Sequence, residues 1–86
     1  MPPPERQLQD LKAAMLAHLE GCSGRQAALL RLRVPFTLDH AALWHLRPRL
    51  MQALALERGE TQALQCLAAI DELFRRLAPQ LAPSSR

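Results

Sequence analysis

Residues 18–26, HLEGCSGRQ, bring His18, Cys22 and Ser23 together, and no other short segment gathers groups suited to chemistry. A nucleophilic cysteine needs a depressed pKa, supplied by a helix N-terminus, a nearby cation or a histidine. Cys22 precedes a helix start, Arg25 follows three residues on, and His18 stands four residues back. A structural account covers the same residues one by one. Gly21 closes a helix, Ser23 caps the next, Gly24 relaxes the turn, and Cys22 is a small residue between them. A cysteine hydrolase also needs an oriented base and an oxyanion hole, and the chain offers little framework for either. The segment therefore reads as punctuation between helices, and no enzyme is expected.

Metal chemistry fares no better. His18 and Cys22 have the i, i+4 spacing that places two ligands on one helical face. The other candidates, His40, His45 and Cys66, are scattered without a CxxC or HxxxH pair. On a helix His40 and His45 diverge by ~140°. Asp71 and Glu72 are adjacent and so point apart, and Gly21, Gly24 and Gly59 fit no phosphate-cradling loop. No catalytic residue, metal, cofactor or small-molecule substrate is expected.

Four helical segments account for the punctuation. Helix A covers about 5–20, with Leu8, Leu11, Met15 and Leu19 on one face and Leu16 widening it. Helix B covers about 24–33, capped by Ser23 in a capping box with Gln26, and carries Ala28, Leu29 and Leu32. Pro35 disfavours helical geometry at Val34 and should end it there. Helix C opens at Thr37 and carries Leu43, Leu46, Leu50 and Leu54, with Trp44 and Met51 beside them. Pro48 removes one hydrogen bond and clashes with the Trp44 carbonyl, so a kink, or a new first turn, is expected there. Helix D opens at Glu60-Thr61 and runs to about Leu77, with Leu64, Leu67, Ala68, Ile70, Phe74 and Leu77 on one side and a Glu72–Arg76 pair on another. Residues 1–4 read as a flexible leader, 5–78 as one helical domain and 79–86 as a flexible tail.

Composition supports this reading. The chain holds 18 Leu and 14 Ala against one Val, one Ile, one Trp, two Phe and no Tyr. The best helix formers dominate while sheet-filling residues are almost missing, so the fold class is all-α, a small three- to four-helix bundle or helical hairpin assembly. No apolar run is long enough to span a bilayer. MPPPERQLQD lacks a basic stretch followed by an apolar core, so no signal peptide is read and a cytoplasmic chain with reduced thiols is expected.

Two binding roles remain. A chain of 86 residues buries only ~60–65% of its unfolded surface. Leu16, Leu30, Leu38, Trp44, Met51, Leu56 and Leu73 look like surplus at the edges of the stripes, suited to a homo-oligomer or a protein partner. The size and composition are similar to those of small helical adaptors and co-chaperones of bacterial secretion or assembly systems, with no motif that aligns. The alternative is a DNA- or RNA-binding regulator. Arg25, Arg31, Arg33, Arg47 and Arg49 would meet phosphates, and residues 27–46 would form a degenerate helix–turn–helix around VPFT. Against it, Asp39 repels phosphate, and Leu, Ala and Trp stand where base-reading polar groups are wanted.

Overall fold

A computed structural model describes residues 4–77, and the fold is that of those residues. It is all-α: α1 Pro4–Leu19, α2 Arg25–Arg33, α3 His40–Trp44, α4 Arg47–Arg58 and α5 Glu60–Leu77, with a 3-10 turn at Val34–Phe36. Of the expected leader, only Pro4 falls within the described residues, as the first residue of α1, where its missing amide proton costs nothing. The expected tail at 79–86 lies outside them.

The elements follow the sequence reading, with its third helix divided in two, and differ at their joints. Gly21 has φ 83° and closes α1 as expected. Ser23 does not cap α2. Gly24 takes the capping place with no side-chain acceptor, and its amide donates to Glu57 Oε2 at 2.9 Å. A carboxylate reaching over from α4 meets the positive end of α2 better than a hydroxyl, so the Ser23–Gln26 box is not formed. The α-helix ends at Arg33, ahead of Pro35, as expected, but the chain does not leave helical geometry at Val34. Val34 is right-handed helical at φ −54°, ψ −46°, and the chain tightens into the 3-10 turn. Complete burial of the Val34 side chain outweighs the local preference against helix before proline. Thr37 is likewise not a cap: its hydroxyl donates to the Val34 carbonyl at 2.7 Å. Asp39 opens α3 instead, accepting from the Ala42 amide at 2.8 Å.

The sequence's third helix is divided into α3 and α4 by a turn at His45-Leu46, and Pro48 sits in the first turn of α4. There the proline has no amide hydrogen bond to lose, so a new start replaces a bend. A single residue, Gly59, then joins α4 to α5, at φ 88° and ψ 160°. That conformation suits glycine almost alone.

One core runs through every layer. Leu11, Met15, Leu19, Leu43, Leu46, Leu50, Leu54, Ile70 and Phe74 are buried as their spacing predicts. Two faces are rotated from expectation. On α2 the core takes Ala27 and Leu30 and leaves Ala28, Leu29 and Leu32 outside; on α5 it takes Ala63 and leaves Leu64 and Ala68 outside. Buried alanines on α2, α4 (Ala53) and α5 allow the helices to approach closely. The α5 surface ion pair is Glu72–Arg75 at 3.1 Å, one residue short of the expected partner. The Cα extents are 35 × 30 × 17 Å, and the short dimension corresponds to two layers of helices.

Gly59→Ala should lower unfolding stability by about 1–3 kcal/mol through strain alone, because a Cβ there meets nothing within 4 Å. Urea denaturation checks this, and an unchanged midpoint would refute it.

Candidate protein-binding groove

The α2 segment is apolar on two opposite faces. Ala27, Leu30 and Val34 step by three and four and turn inward. Leu29, Leu32 and Phe36 repeat the same step on the opposite side and lie 50%, 67% and 79% exposed. The two stripes are set about 160° apart at 100° per residue. A helix with apolar groups all round wants neighbours on both sides, and among the described residues α2 has its main neighbour, α4, on one.

Where α2 lies along α4 the outer surface is hollow. Gln26, Leu29, Leu30, Leu32, Arg33, Phe36 and Arg49 line a trough of about 360 Å³. Leu30, 2% exposed, is its floor, while Arg33 and Arg49 border one end. Gln26 also lines a second hollow of about 440 Å³ with Gln52, Ala55, Leu56 and Glu60. The two helices run antiparallel: Gly24 meets Glu57 at one end, and Arg33 shares the trough with Arg49 at the other.

The arginines divide into two groups. Arg31 donates to the carbonyls of Leu19 at 3.3 Å and Cys22 at 2.8 Å, and Arg58 donates to that of Glu20 at 2.8 Å. Both thus donate to carbonyls at and just after the end of α1, that of Leu19 being shared with the Cys22 amide. Arg47 grips Asp71 with two bonds of 2.6 Å and lies 4.0 Å from the centre of the Trp44 ring. The Trp44 ring meets Phe74 edge-on at 4.9 Å. Arg25, Arg33 and Arg49 are exposed and have no ion pair or hydrogen bond among the described residues. The five arginines expected to face phosphates are therefore not one patch, since Arg31 and Arg47 are engaged by acceptors of the fold itself. The second helix of the expected helix–turn–helix is the five-residue α3.

The surplus side chains are also redistributed. Leu30 is in the core, while Leu16, Trp44, Met51 and Leu73 pack half-buried against it. Leu38 and Leu56 stand 89% and 78% exposed. Phe36, the most exposed member of the outer stripe, was missed in the sequence because VPFT read only as a turn. Its signal was the spacing from Leu29 and Leu32. Trough residues Leu30, Arg33 and Arg49 come from two different expectations and meet at one place.

HLEGCSGRQ is a junction in the structure. Cys22 is 4% exposed and both cysteines are free thiols. Among the described residues no three His, Cys, Asp or Glu side chains gather as metal ligands, and no helix is long and apolar enough to cross a membrane. Comparison with protein-family models, curated proteins and solved structures gave no match for this chain.

His18 lies in the last turn of α1, where the helix dipole ordinarily favours an imidazolium. Burial prevails and, with the nearby Arg58 guanidinium second, pushes its pKa below 6.5. The folded chain then binds fewer protons than the unfolded one, so this contribution is intact above pH 6.5 and is lost as pH falls through the depressed folded value. The melting temperature should be lower at about pH 5 than at about pH 7.5, and His18→Gln should narrow the gap; an unchanged gap would refute the assignment. For the Arg47–Asp71 pair, with side chains 20% and 23% exposed, a double-mutant cycle to alanine should give a coupling of about 1–2 kcal/mol, and a value near zero would show the contact to be idle.

Proposed function

We propose that this chain is a protein-interaction module, working as an adaptor or chaperone does, that buries the outer face of α2 against another protein surface. The observation that carries the reading is the second apolar stripe. Leu29, Leu32 and Phe36 follow helical spacing along one face and stay in solvent, beside a trough with a leucine floor. Contiguous exposed apolar groups of this kind mark interaction sites more often than scattered ones do. Removing such surface from water is worth ~25 cal/mol per Å².

The surrounding chemistry favours binding over catalysis. The trough offers amide, guanidinium and hydrocarbon groups, with no carboxylate, imidazole or thiol to move a proton or attack a bond. Its large hydrocarbon area and bordering cations suit a folded or folding helical segment.

Photo-crosslinking in the cells that make the protein tests the role. A photoreactive residue in place of Leu32 or Phe36 should form a protein adduct, whether to another chain or to a second copy. The same group in place of Gln62, exposed on α5, should not. Equal or absent adducts at the three positions, in chains whose circular dichroism shows intact helices, would overturn the proposal.

A further inference from the structure

We infer that the trough between α2 and α4 receives an acidic amphipathic helix from a different protein, with its carboxylates at Arg33 and Arg49. This rests on the binding role proposed above and specifies its occupant.

Charge is the first argument. The lining contains two guanidinium groups and no carboxylate, and neither Arg33 nor Arg49 has a partner among the described residues. Unpaired guanidiniums beside hydrocarbon match a ligand that supplies carboxylates next to apolar side chains. The two cations of the lining also sit at one end. Following the antiparallel pair past Gln26, the second hollow is bordered by Glu60. A bound helix therefore gathers its carboxylates at the Arg33–Arg49 end.

Shape is the second argument. A hollow with a buried leucine as floor, apolar side chains of α2 and the 3-10 turn along it and Arg49 of α4 across from them takes a convex apolar ridge. Leucines at i, i+3 or i+4, and i+7 of a helix form such a ridge. The spacing of Leu29, Leu32 and Phe36 is its counterpart on this chain. Rows of duplex phosphates have no apolar ridge to offer.

The source of the carboxylates is the third. This chain carries a net charge of +3, and its Asp39, Glu57, Asp71 and Glu72 carboxylates are already engaged within the fold. A second copy therefore supplies Arg33 and Arg49 less well than an acidic partner does.

Fluorescence anisotropy on the full chain tests this with a labelled helical peptide of about fourteen residues, about 21 Å long. It carries leucines at i, i+3 and i+7 and three glutamates in one terminal turn, and a matched peptide has lysines in their place. The glutamate peptide should bind at least about tenfold more tightly than the lysine peptide. Arg33→Glu with Arg49→Glu should reverse that preference, and Leu32→Ser should abolish binding of both; all three positions are exposed and should leave the fold intact. Equal affinity for the two peptides, or indifference to the charge reversal, would overturn the inference. So would displacement of the peptide by phosphatidylglycerol vesicles or a DNA duplex, or a dimer that Leu32→Ser dissolves. Failure of the glutamate peptide alongside protein adducts at Leu32 would reject this occupant and leave the binding role standing.

Discussion

The rest of the structure depends on a connection one residue long. Gly59 is the whole link between α4 and α5, so the two helices must turn back on one another at once. Their stripes, Leu50, Ala53 and Leu54 on α4 and Ala63, Ile70 and Phe74 on α5, are thereby committed to the same interface. The remaining helices dress this hairpin. α1 lies mainly on α5 and α2 mainly on α4, with only slight contact between α1 and α2 themselves. Two layers are complete at that point, and among the described residues no third covers the outer side of α2.

Where the sequence was legible follows from this. Stripes that read one way only, such as Leu11, Met15 and Leu19 or Leu43, Leu46, Leu50 and Leu54, were assigned to the core and are there. On α2, RQAALLRLR places apolar residues at five of nine positions, and both 27-30-34 and 29-32-36 satisfy helical spacing. Periodicity has no preference between them. What decides is the partner: Ala27 permits a close approach to α4 that Leu29 would hinder. The caps failed for a related reason. Ser23 and Thr37 have the right chemistry for their positions, but local pattern carries no information about a Glu57 carboxylate arriving from 33 residues away.

Charge was legible in amount and not in use. Arg25, Arg31, Arg33, Arg47 and Arg49 suggested a single surface, yet the fold spends Arg31 and Arg58 on the carbonyls around Gly21 and Arg47 on Asp71 and Trp44. Arginine suits such work because its planar fork reaches several acceptors without losing its charge. Those ties explain why the HLEGCSGRQ junction, so suggestive in sequence, is occupied by architecture. Arg25, Arg33 and Arg49 remain outside it, on or beside the uncovered face of α2. The positive charge available to a ligand is smaller than composition implies, and part of it stands where hydrocarbon is exposed.

The two faces of α2 then raise the question of why the helix does not roll over. Turning it by about half a revolution would bury Leu29, Leu32 and Phe36, which carry more hydrocarbon than Ala27, Leu30 and Val34. The cost lies in polar groups. Such a roll would carry Arg31 away from the Leu19 and Cys22 carbonyls. It would also disturb the tie between Pro35 and Lys12, whose 7% exposed side chain donates from Nζ to the Pro35 carbonyl at 3.0 Å. A buried ammonium without its acceptor is far costlier than an exposed leucine. Polar tethers in the last turn of α2 and just beyond it therefore hold the larger apolar stripe outward, against the direction hydrophobic burial alone would take, and that opposition leaves a sticky surface on an otherwise well-packed small domain.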